Sequence, residues 1–110
     1  MDKPLELYQV TYSERVKQRL KAMGKEATRR GDREAFVAAL KDFDYRLQVF
    51  PQFGVLVCHL VFEGAKLYNG TIRPLDMSYA VYEGQRLVLV VDLPVLLPKA
   101  KAEPGGEAGD

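Results

Sequence analysis

The chain has 110 residues, with 16 Lys and Arg against 15 Asp and Glu, 47% hydrophobic residues, one cysteine, one histidine and no tryptophan. A chain this short hides roughly two-thirds of its unfolded surface in one core, which excludes two independent domains and a deep internal active site. With Cys58 as the sole thiol, neither an internal disulfide framework nor a cysteine-built zinc site can form, and a net charge of +1 gives no global argument for nucleic acid.

The N-terminal stretch MDKPLELYQVTYSERVKQRL has no apolar run before a small-residue cleavage site, and no stretch of about 18 apolar residues follows. The expectation is a cytoplasmic protein with no membrane span. Leu5 to Tyr12 alternates weakly and is rich in Tyr, Val and Thr, which predicts a first strand. Ser13 is an N-cap candidate before Glu14, and the helix that follows presents Val16, Leu20, Met23 and Ala27 on one face. Gly31 ends this helix as a left-handed cap, while Gly24 inside it should weaken it by about 1 kcal/mol relative to Ala.

Asp32 is placed to cap a second helix, in which Phe36, Leu40, Phe43, Leu47 and Phe50 give the strongest periodicity of the chain, closed by Pro51 and Gly54. From Val55 the period changes to two. Strands are expected at Val55–Phe62, Lys66–Arg73, Leu75–Tyr82 and Arg86–Leu93, with Glu63-Gly64 and Glu83-Gly84 as turn signals and Pro74 as a bulge or edge break. Leu75, Met77, Tyr79 and Val81 form a core face that Leu87, Leu89, Val91 and Leu93 should continue, with Val88 and Val90 making the last strand apolar on both sides. The expected architecture is α+β, in the order β-α-α-β-β-β, with a helical hairpin packed on one face of a small, mainly antiparallel sheet. Residues 1–98 form this domain, and 99–110 read as a disordered tail.

Charge is unevenly placed. Residues 13 to 33 hold Arg15, Lys17, Arg19, Lys21, Lys25, Arg29, Arg30 and Arg33 against Glu14, Glu26 and Asp32, a local net of +5. Lys17, Lys21, Lys25 and Arg29 recur at i+4 as a stripe turned away from the apolar face, which reads either as a solvated helix face or as a surface for an anionic partner. On the strand reading His59 shares a face with Val55, Val57 and Val61 as a partly buried structural histidine, and Cys58 lies with Leu56 and Leu60 as a core residue. No His or Cys constellation with metal-ligand spacing and no glycine-rich phosphate loop occurs, so no metal and no small-molecule cofactor are expected. The sheet strands do bring a set of cations and phenols, Lys66, Tyr68, Arg73, Tyr79, Tyr82 and Arg86. Metal-free RNA cleavage needs a base, charge stabilisation and an acid, roles that Lys, Arg and Tyr can fill. Tyr79, on the core face, reads as packing.

This pattern resembles the RelE/ParE superfamily of bacterial toxins from type II toxin–antitoxin systems, the plasmid stabilisation type. The resemblance covers about residues 8 to 93 and lies in YQVTYSERVKQRLKAMGKEA, FPQFG and LYNGTIRPLDMSYAVYEGQRLVLVV. It implies the fold given above, a cognate antitoxin as partner, and one of two modes of growth inhibition. RelE-like members are ribosome-dependent mRNA endonucleases, for which Lys66, Arg73, Arg86 and Tyr82, with His59 as an alternative helper, are the catalytic candidates here. ParE-like members bind and poison DNA gyrase. The segment DLPVLLPKAKAEPGG has no Arg, His or Tyr, so the C-terminal groups of RelE-like nucleases have no match and binding is the favoured mode. A degenerate, non-toxic interaction module is the third reading.

Overall fold

In a computed structural model the described residues are 7–61, 64–90 and 94–98. They form β1 (Gln9–Tyr12), α1 (Glu14–Arg29), α2 (Arg33–Val49), a 3₁₀ turn (Pro51–Phe53), β2 (Val55–Leu60), β3 (Ala65–Ile72), β4 (Leu75–Tyr82), a second 3₁₀ turn (Glu83–Gln85), β5 (Leu87–Val90) and β6 (Val95–Leu96). The expected α+β layering is observed: two helices pack on one mixed, mostly antiparallel sheet in the order β1-β5-β4-β3-β2, with β6 pairing β4 beyond the end of β5. β1 and β5 run parallel; the other pairs are antiparallel. No helix among the described residues is long and apolar enough to cross a membrane. The expected tail, 99–110, lies outside the described residues, as do Glu63, Val91 and Leu93.

Ser13 caps α1 as expected, its Oγ accepting the Val16 N–H at 3.2 Å, and Gly31 ends the helix at φ +72°. Val16, Met23 and Ala27 are buried, and α1 runs through Gly24 without interruption, with Phe36 3.6 Å from where a Cβ would stand. Asp32 begins α2 without a side-chain cap, because its carboxylate is taken by Arg30 at 2.9 Å. Phe36, Ala39, Phe43 and Leu47 fill the space between the hairpin and the sheet. Phe43 lies edge-on to Phe53 and Tyr79, with ring centroids 5.5 and 6.4 Å apart, and Tyr79 stacks on Tyr68 at 5.9 Å. The fully buried Tyr79 donates its Oη–H to the Pro51 carbonyl at 2.7 Å, which ties β4 to the chain reversal after α2.

Four expectations need correction. The core face of β5 is Val88 and Val90, not Leu87 and Leu89. Val81 stands opposite Val88 and Tyr79 opposite Val90, and opposite residues of an antiparallel ladder share a face. Pro74 makes no bulge or edge break. With Arg73, across a cis peptide bond, it forms the two-residue turn that joins β3 to β4, closed by Ile72 opposite Leu75. Cys58 is exposed rather than core, and His59 is exposed rather than partly buried. Both sit on β2, an edge strand whose alternation is broken between Leu56 and Cys58, while α2 packs on β1, β3 and β4. An apolar sequence therefore marks a strand that the helices do not cover.

Three arginines fasten the C-terminal segment. Arg19 donates to the Pro94 carbonyl at 3.2 Å, Arg30 to that of Leu97 at 2.9 Å and Arg73 to that of Pro98 at 3.0 Å. Leu96, opposite Leu75, packs against the core.

Candidate binding groove on the helical hairpin

An i+4 row on a helix advances by roughly 40° per step, because 3.6 residues make a turn. Lys17 therefore starts on the flank of the apolar face of α1, and Arg29 ends nearly opposite to it. So the stripe is not uniformly turned away from the core. Its first half borders a groove of ≈ 380 Å³ between α1 and α2, lined by Tyr12, Lys17, Leu20, Lys21, Leu40 and Asp44. A second hollow of ≈ 250 Å³ shares Lys21 and adds Lys25 and Arg33 beside Phe36 and Val37. Lys17, Lys21, Lys25 and Arg33 are all exposed, whereas Leu20, Leu40 and Val37 are half-buried. Arg29 lies outside both hollows, in an ion pair with Glu26.

The surface that results is an apolar trough with cations along it. Asp44 is the one acid in the lining, and it is already engaged: Tyr12 Oη donates to Asp44 Oδ1 at 2.7 Å and Gln48 Nε2 to Oδ2 at 2.7 Å. Burial, then the hydrogen bond to Asp44 and its charge, hold the Tyr12 phenol proton far above its ordinary value near 10. A proton held more tightly in the folded state contributes stability that is complete below the unfolded pKa near 10 and is lost as pH rises through the folded one. Urea titrations of the native protein should therefore show unfolding free energy falling above about pH 10, with a shallower fall for Tyr12→Phe. Equal slopes for the two proteins would contradict this assignment.

The cations and phenols of the sheet form no single site. Lys66 stands opposite Val81, whose side is buried under the helices, and forms an ion pair with Glu83 at 3.7 Å. Tyr82, the next residue along β4, points to the opposite face. Arg86 holds a left-handed backbone, φ 54°, and its guanidinium lies 5.0 Å from the centre of the Tyr8 ring. Arg73, seven residues along from Lys66 and in the β3–β4 turn, is about 23 Å away at 3.3 Å per residue. One phosphate cannot meet both. The structure does bring His59 opposite Lys66 at a hollow of ≈ 170 Å³ that also includes Glu83. Gln52 bridges Glu83 to the Tyr8 hydroxyl at 3.1 and 3.2 Å.

Sequence reasoning missed Tyr12, Leu20, Leu40, Asp44 and Arg33 as groove residues. The available signal was a leucine at the shoulder of each helical stripe, close to lysines. It also missed a polar network on the sheet face away from the helices, in which Asn69 donates to Asp76 at 2.8 Å and to Ser78 at 3.1 Å, and Thr71 donates to Asp76 at 2.8 Å. The chain matches no family model, no curated protein and no solved structure.

Proposed function

We propose that this is a toxin or toxin-like protein of the RelE/ParE kind, acting in the cytoplasm by binding a large target such as DNA gyrase and neutralised by a cognate antitoxin. The observation that carries this reading is the apolar trough of the helical hairpin with Lys17, Lys21, Lys25 and Arg33 along it. Such a surface suits an acidic, amphipathic partner segment: apolar side chains fill the trough while carboxylates meet the lysines, and the like charges discriminate against basic partners. The element order agrees with the resemblance, including a helical hairpin between the first strand and the rest of the sheet. The distance of Arg73 from Lys66 and the turning of Tyr82 to the opposite face also favour binding over cleavage.

Induced expression in a bacterial host should arrest growth, and purified protein should make gyrase accumulate cleaved DNA complexes. The triple variant Lys17→Glu, Lys21→Glu, Lys25→Glu should weaken capture of an antitoxin encoded beside the gene at least 100-fold, about 3 kcal/mol, with an unchanged circular dichroism spectrum. Growth indifferent to expression would favour the degenerate module instead, and full capture by the triple variant would remove the trough from the reading.

A second reading, metal-independent mRNA cleavage on the ribosome, is favoured by His59 facing Lys66 beside Glu83. It replaces the four-residue catalytic set with a smaller one, His59 as base and Lys66 on the phosphate. Primer extension on a reporter mRNA tests it. Cleavage ends that persist in a His59→Ala, Lys66→Ala double variant would sink it.

A further inference from the structure

The strand most open to a partner is β2. It lies at the edge of the sheet, and of the residues from Val55 to Val61 only Leu60 is half-buried. Val55 is 72% exposed, Val57 56% and Val61 80%. This run, VLVCHLV, contains no Asp, Glu, Lys, Arg or Pro. Charges and prolines are the devices by which proteins blunt an edge, and here only the irregularity between Leu56 and Cys58 is present. β1, the other terminal strand, is only four residues long. β6 occupies β4 where β5 has ended, and at the entrance to β1 the Tyr8 N–H donates to the Gln48 carbonyl of α2 at 2.8 Å.

We infer that β2 is a self-association edge, at which two copies of this chain pair antiparallel about a two-fold axis near Cys58 and join their sheets. A row of unpaired backbone N–H and C=O groups is satisfied by another strand. An uncharged row has nothing to attract a charged segment, whereas a two-fold axis sets the same uncharged run against itself. An axis at Cys58 keeps the pairing within β2, laying Leu56 of each copy beside Leu60 of the other and the exposed Val57 beside His59. Pairing along one six-residue strand covers less than the about 800 Å² per partner of a standard interface, which puts the dimer in the weak, concentration-dependent class. The inference uses no groove residue and does not depend on the toxin reading.

Sedimentation velocity of the full chain in reductant, from low micromolar to several hundred micromolar, should show the mass rising from monomer towards dimer. Val57→Lys and His59→Lys, at exposed positions of β2, should each keep the protein monomeric with unchanged circular dichroism and melting temperature. A short bis-maleimide acting on Cys58 should trap dimer in the concentrated native protein and at least tenfold less in Val57→Lys. A monomer throughout the range overturns the inference and leaves the edge for a different chain. A dimer that survives both lysine variants overturns it as well, since it must use another surface.

Discussion

Replacing Gly54 with alanine is expected to destabilise the protein by about 3 kcal/mol, the upper part of the usual range for overpacking a core. The backbone at Gly54, φ −78° and ψ −173°, is open to any residue, so the effect is steric and not conformational. A Cβ there would stand 2.5 Å from Tyr79 Oη and 2.7 Å from the Asn69 carbonyl oxygen. Neither neighbour can give way cheaply. Asn69 belongs to the ladder between β2 and β3, and the Tyr79 hydroxyl is committed to the Pro51 carbonyl at 2.7 Å in the interior. Moving it leaves a buried donor and acceptor unpaired, which costs about 1–3 kcal/mol. Urea unfolding should show a lower midpoint with an unchanged slope. In a Tyr79→Phe background the same substitution should cost less, because one of its two clashes has gone while the Asn69 carbonyl remains. A Gly54→Ala loss below about 0.5 kcal/mol, within the range of an ordinary surface change, would show that the turn can shift as a unit.

The second large effect is expected from Phe43→Ala, a loss of about 3–5 kcal/mol. Phe43 is fully buried on α2, edge-on to Phe53 and Tyr79, and it reaches the sheet where Gly70 offers only backbone. A Cβ at Gly70 would be 3.1 Å from Phe43 Cζ, so ring and glycine are fitted to each other. Truncation empties that space, and Tyr79, held by its hydrogen bond to Pro51, cannot collapse into it. Thermal unfolding checks this. A Phe43→Ala midpoint close to that of the native protein would mean that the aromatic cluster repacks freely.

Much of this core was legible from side-chain spacing. Phe36, Phe43 and Leu47 recur at helical intervals on a chain otherwise well supplied with charge, and Leu75, Met77, Tyr79 and Val81 alternate with neighbours that include Asp76 and Ser78, so each periodicity identified an element and most of its buried face; Phe50, the last of the helical row, lies beyond α2 and is 59% exposed. Where alternation was absent the face was not legible. Leu87-Val88-Leu89-Val90 is apolar on both sides, and only the register opposite Val81 and Tyr79 decides that the valines go inward. VLVCHL was misread for a related reason. Apolar character indicates burial on average, but a sheet edge lies next to one strand instead of two, and whether helices extend over it depends on the whole assembly. The basic stripe was visible as charge, while the trough beside it was not, since it exists only where Leu20 of α1 meets Leu40 of α2. Arg73 failed as a partner for Lys66 because sequence proximity along a strand is distance in space.

The parallel pairing of β1 with β5 has a consequence for how the chain is made. Gln9 and Leu87 are nearly eighty residues apart, yet they are neighbours in the sheet. The helical hairpin and the β2-β3-β4 meander can each form from contacts within about three dozen residues, and such local closures are fast. β1 has no such local strand to join. During synthesis it must wait until almost the whole domain has left the ribosome, and only then can the N-terminal strand complete the sheet beside the last long one. The earliest-translated of the described strands is thus among the last to find its place.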